Sequence, residues 1–169
     1  TGVTLVDNGK VLLSEWIISP EQLSNTLNGV SHIVGHNLLG FDLPILAEAW
    51  DFTIPPSVGV IDTLVMSRLA NPSRDGGHSL RNLALQRGLN QKQDFDVADF
   101  DGPVTAKMIE YCIADTVANV DVFNMLKYEL RDFSDESIHL EHRVAEITKV
   151  QESNGFKLDF PLACSIHTQ

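Results

Sequence analysis

Cysteine is scarce in this chain: only Cys112 and Cys164 occur, far apart and without a ligand-type spacing. That suggests neither a disulfide framework nor a structural zinc site, and it fits a reducing, intracellular setting. No stretch approaches the roughly 18 apolar residues of a membrane span, so no membrane partner is expected. The opening Thr1-Gly2-Val3-Thr4 lacks the basic-then-apolar form of a secretory leader. Basic residues are also few, with 12 Lys and Arg against 23 Asp and Glu and a net charge of −11. A broad basic surface holding nucleic acid by counterion release is therefore disfavoured. A polyanion would have to be held locally, and carboxylates are what a site for a hard divalent cation requires. What is present in quantity is apolar: 43% of 169 residues, enough for one globular core.

The pattern along the chain alternates strand and helix. Val3 to Val6 and Val11 to Ile17 are β-rich runs separated by Asp7-Asn8-Gly9-Lys10, which is hairpin-turn chemistry. Ser19-Pro20-Glu21-Gln22 has the form of a capping box with proline at the first helical position, and Asn28-Gly29 supplies a stop, giving a helix from about 20 to 28. His32 to His36 reads as a buried strand, followed by a loop and a helix from Leu43 to Trp50. Val58 to Ile61 repeats the arrangement, with Asp62 opening a helix through Leu69. Such an order predicts parallel neighbours in a mixed α/β sheet. Ser79 to Arg87 reads as a further helix, and Asn90 to Pro103, with four aspartates, as a long acidic loop. From Val104 to Leu130 apolar residues recur at three- and four-residue steps, which predicts one long amphipathic helix. A last helix is expected from Ser137 to Ser153, ending at Asn154-Gly155.

Two places carry candidate chemistry. Tyr111 and Asp115 stand four residues apart, so phenol and carboxylate emerge from one face of the long helix. Taken alone, the pair is explained as a core-edge tyrosine and a solvated helix aspartate. Asp115 nevertheless lies among Ile113, Ala114, Val117 and Val120, where a carboxylate needs a partner. Asp42 lies where strand, loop and helix meet, and taken alone it is explained as a helix N-cap. His36 and Asn37 add polar groups at the end of a buried strand, where open α/β sheets place their sites. Asp62 is explained as a strand end followed by an N-cap. His78, after Gly76-Gly77, has either a phosphate-contacting role or a capping or packing one.

In order, these segments resemble the proofreading 3′→5′ exonuclease domain of phage-type family A DNA polymerases, of the DnaQ-like, ribonuclease H-like superfamily in its tyrosine (DEDDy) variant. Gly35-His36-Asn37-Leu38-Leu39-Gly40-Phe41-Asp42-Leu43-Pro44-Ile45-Leu46 is similar to the second motif, and Tyr111 to Asp115 to the Tyr-x-x-x-Asp third motif. Ile61 to Leu69 and Gly77 to Leu80 are similar to the connecting segments of phage replicative polymerases. Leu140-Glu141-His142-Arg143 and Gln151 to Asp159 look like the helix that leads into a polymerase domain.

The resemblance implies a ribonuclease H-like mixed sheet flanked by helices. It implies an exonuclease domain over 1–133, with 134–169 beginning a polymerase domain of the same parent chain. A free-standing ribonuclease of the superfamily is disfavoured by the continuation beyond Ser137. The implied cofactor is a pair of Mg²⁺ or Mn²⁺ ions held by carboxylates, with Asp42 and Asp115 as ligands and Tyr111 orienting the nucleophile. The implied partner is DNA, as a single-stranded or frayed 3′ end met by His36, Asn37, Phe41 and His78, and the setting is host cytoplasm if phage-encoded. One departure stands out: the Asp-x-Glu triplet of the first motif does not occur before Asp42, and neither Asp7 nor Glu15 replaces it. The expectation is therefore that the first, central strand is missing, that the sheet has a gap and marginal stability, and that the fragment is inactive. The alternative is a catalytically silent exonuclease-like module that binds DNA or serves as a structural spacer.

Overall fold

The computed structural model describes residues 1–7, 10–88 and 103–167. Strands β1 (Gly2–Asp7) and β2 (Lys10–Trp16) form the expected antiparallel hairpin, with an irregular register between Leu5 and Val6; Asn8 and Gly9 of its turn lie outside the described residues. Helix α1 (Pro20–Thr26) begins at Ser19, whose hydroxyl accepts from the Gln22 N–H at 3.2 Å. The Gln22 side chain reaches back to the N–H of Ile18 rather than of Ser19, so the capping box closes one residue earlier than its usual form. Strand β3 (His32–Gly35), helix α2 (Asp42–Trp50), strand β4 (Gly59–Asp62) and helix α3 (Thr63–Ala70) follow, with β3 and β4 parallel and His32 opposite Gly59. Then come α4 (Leu80–Gln86), α5 (Ala106–Glu129), α6 (Asp135–Asn154) and α7 (Phe160–His167).

Local chemistry accounts for the shifts from the expected boundaries. The long helix starts at Ala106 rather than Val104 because Thr105 caps it, its hydroxyl accepting from the Met108 N–H at 3.2 Å. Ser134 does the same for α6 through the Ser137 N–H, so that helix begins two residues before Ser137. The expected acidic loop lies, except for Pro103, outside the described residues.

The class is α/β as expected, with the strands in two separate pairs rather than one mixed sheet among the described residues. The pairs are joined through α5. Gly2 of β1 lies so close to that helix that a Cβ there would sit 3.0 Å from the Cys112 carbonyl oxygen. One turn further along, the Thr4 hydroxyl is 2.7 Å from that of Thr116 and 2.9 Å from that of Ser14, so a chain of hydroxyls ties both hairpin strands to the helix.

Two apolar clusters form. One gathers Met66, Leu83, Ala84, Ala118, Val122, Leu126 and Leu130 from α3, α4 and the C-terminal half of α5 and just beyond it. The other gathers Ile17, Leu23, Leu27 and Phe52 beside the hairpin and α1. At about 1.5–3 kcal/mol for each large side chain withdrawn from water, the first cluster makes α5 the best-anchored element. The face of α6 at Leu140, Val144 and Ile147 is exposed, as are Phe156, Leu158 and Phe160 beyond it. Among the described residues no helix is long and apolar enough to cross a membrane.

Candidate active site

Tyr111 and Asp115 occupy one face of α5, a turn apart, with the phenol beside the carboxylate. Burial, followed by the nearby Asp115 carboxylate, holds the Tyr111 hydroxyl above its ordinary ionisation range. Asp115 is half-buried rather than a solvated surface residue, with Tyr111 beside it. The next residue, Thr116, donates to the Ile113 carbonyl at 2.8 Å and meets Thr4, which fixes this turn of helix against the hairpin.

Asp42 is approached through a loop, and that loop is organised by Asp62. The Asp62 side chain is 2% exposed, and its carboxylate accepts three backbone N–H groups, those of Asn37 (2.9 Å), Leu39 (3.0 Å) and Leu64 (2.9 Å). The N-cap expected of Asp62 is present, and the same carboxylate also pins the β3–α2 loop. Asn37 takes a left-handed φ of 58°, which turns the chain into position to make its bond. Phe41 follows, 59% exposed, and Asp42 is the first residue of α2. The N-cap reading of Asp42 is thus corrected: Phe41 holds the cap position, and no side chain caps the helix. Burial raises the Asp42 carboxyl above the usual range; its own backbone N–H opposes this and the Asp62 charge adds to it.

His36 and His78 are both engaged within the protein. His36 Nδ1 lies 3.0 Å from Thr63 Oγ1, its ring stands near the His78 backbone, and burial lowers its pKa. His78 Nδ1 lies 2.9 Å from Ser67 Oγ, and its Nε2 faces the Pro72 carbonyl at 3.4 Å. Both rings tie β3, α3 and the α3–α4 connection together. Of the expected substrate contacts, Phe41 presents the largest free surface.

Three residues of this network escaped the sequence reading: Thr63, Asn119 and His142. Thr63 Oγ1 is within hydrogen-bond reach of the Gly35 carbonyl, Asn119 Oδ1 and His36 Nδ1, and its one proton serves one acceptor at a time. Asn119, 7% exposed, was detectable as a polar residue inside the apolar run Val117-Ala118-Asn119-Val120, where a buried amide needs a partner. His142, 6% exposed, accepts the Asp62 N–H on Nε2 at 2.9 Å, a partner 80 residues away that no local pattern signals.

The charges of the two carboxylates both reach Cys112. Burial raises its thiol pKa, and the charges of Asp115 and Asp42 both add to that, against the Thr1 amino group. These groups fall short of an ion cage. Among the described residues no group of three or more His, Cys, Asp or Glu side chains could hold a metal. Asp62, the carboxylate whose charge acts on Asp42, has both oxygens committed to backbone N–H groups. The donor set therefore does not fit a two-ion clamp on its own.

A family model described as 3′-5′ exonuclease matches residues 8–131. The match includes Asp42, Tyr111 and Asp115 and stops before α6. No curated protein and no solved structure matches the chain.

Proposed function

We propose that this chain, which belongs to the 3′-5′ exonuclease family whose model spans residues 8–131, contributes the second- and third-motif half of a DNA-proofreading site. The observation that carries the reading is the family match, which spans Asp42 and, 69 or more residues on in sequence, the Tyr111–Asp115 pair; the charges of Asp42 and Asp115 both act on the Cys112 thiol. In this reading the substrate is the single-stranded or frayed 3′ end of DNA. Exposed Phe41 offers a ring for a terminal base to stack on, and a stacked base is worth about 1–3 kcal/mol. The parent is a phage-type family A replicative polymerase of the tyrosine variant, with residues 134–169 leading into its polymerase domain. Members of this family generally use divalent metals, and the resemblance points to two Mg²⁺ or Mn²⁺ ions. Two carboxylates are too few for that clamp, so hydrolysis by these residues alone is not expected.

The test is twofold. By fluorescence anisotropy, the chain should prefer linear single-stranded DNA with a free 3′ end over a closed circle, and Phe41→Ala should weaken binding roughly five- to a hundredfold. With Mg²⁺ present, it should release no nucleotides. Equal binding to linear and circular DNA, unmoved by Phe41→Ala, would sink the reading of the site. Robust release abolished by Asp115→Ala would overturn only the expected inactivity. The shortage of ligands favours a second reading, a catalytically silent exonuclease-like module that binds DNA. Nucleotide release by the full-length protein that survives Asp115→Ala unchanged would support it.

A further inference from the structure

The residues matched by the exonuclease family stop at 131, yet a side chain of α6 enters the interior of the unit they form. His142 Nδ1 meets the Ile138 carbonyl at 2.8 Å, one turn back on its own helix, and Nε2 meets the Asp62 backbone N–H at 2.9 Å. A backbone N–H only donates and a carbonyl only accepts, so Nε2 is the acceptor and Nδ1 carries the proton. Without the imidazole, the Asp62 N–H would be buried with its acceptor removed, a costly arrangement.

Asp62 faces two ways. Its N–H points to α6, while its carboxylate holds the N–H groups of Asn37 and Leu39, in the loop that leads to Phe41 and Asp42. A second contact reaches the same loop from the same helix. Lys149, seven residues and two turns beyond His142, lies so close to Gly40 that a Cβ there would sit 3.0 Å from its Cε and 3.2 Å from its Nζ. Between these two contacts runs a cleft of about 440 Å³, lined by Asn37, Gly40, Arg68, Lys149 and Glu152 among others. The loop and α6 therefore meet at discrete points rather than through a continuous packed face.

We propose that His142 is a positioning residue: from α6 it fixes the backbone of Asp62, and through Asp62 it sets the loop that presents Phe41 and Asp42. Its bearing on catalysis rests on the exonuclease reading of Asp42, whereas the structural coupling stands apart from it. The geometry explains why histidine suits the position. It has to accept on one nitrogen from a strand end and donate on the other to its own helix, which no apolar side chain does.

Amide hydrogen exchange on the ¹⁵N-labelled 169-residue chain tests the coupling without any nuclease readout, so its failure is distinguishable from failure of the exonuclease reading. His142→Leu should speed exchange at Asp62, Asn37 and Leu39 roughly tenfold or more, while Val122 and Leu126 in α5 keep their protection. His142→Gln, which places an acceptor near the Nε2 position, should restore the loop amides. Unchanged loop protection in His142→Leu overturns the proposal, as does failure of glutamine to restore what leucine loses. If His142→Leu fails to fold, the wild-type imidazole spectrum decides. Nε2 unprotonated and Nδ1 protonated supports the proposal, and the opposite tautomer overturns it.

Discussion

The two halves of the site are held in different ways. Tyr111 and Asp115 belong to a 24-residue helix whose C-terminal half lies in the larger apolar cluster and whose N-terminal half is pressed against the hairpin. Asp42 stands behind a short loop fastened by a single carboxylate with three backbone partners. The first half depends on packing spread over many side chains, and the second on directional bonds converging on one residue. Packed apolar contacts are lost cooperatively with the fold, whereas a loop pinned at a few discrete points can open by itself. The site should thus lose its Asp42 side before its Tyr111–Asp115 side.

The strongest way to break the helical half is Leu126→Ala, since Leu126 is fully buried in the main cluster. It should cost about 2–5 kcal/mol, seen as a lower midpoint in denaturant unfolding, and it should take both halves with it. Asp62→Ala should cost less, about 1–3 kcal/mol, for leaving loop and helix N–H groups without their acceptor. Amide exchange should show that cost at Asn37 and Leu39 while α5 stays protected; equal loss across α5 would erase the distinction between the halves.

The smallest effect concerns pH. Burial lowers the His36 pKa in the folded chain beneath its ordinary value of 6.5, so below that value the unfolded chain binds the extra proton more readily. Its contribution is unchanged above 6.5 and turns against folding as pH falls through the window beneath it. His36→Gln should flatten that part of the stability profile when unfolding midpoints are compared on either side of the window. A profile identical to wild type would place the acid sensitivity elsewhere.

What could be read from the sequence follows the range of the interaction. Helices were visible because their caps and apolar periods are local: Ser19, Thr105 and Ser134 each bond an N–H three residues on. The pairing of Tyr111 with Asp115 was legible for the same reason. The roles of Asp42 and Asp62 were only half legible. Strand-end position marked both, but which of them caps a helix depends on where the loop between β3 and α2 turns back, and that is set by Asn37 and by partners some 25 residues away. His142 and Thr63 were illegible because their partners lie 80 and 56 residues away, and a polar side chain on a charged helix carries no mark of burial. The division of the strands into two pairs has the form expected of a sheet with a gap, although strand patterns specify which face is buried and not which edges are joined.

The contact between Lys149 and Gly40 bears on where this chain can be cut. The boundary suggested by the sequence, near residue 133, falls in the short link between α5 and α6 and looks like a natural place to trim. A cut there would take away Lys149, which stands against the loop at Gly40, together with His142, which closes off the end of β4. A minimal unit that keeps the Asp42 loop as seen here must run at least as far as residue 149, so the smallest useful piece of this protein is longer than its family match.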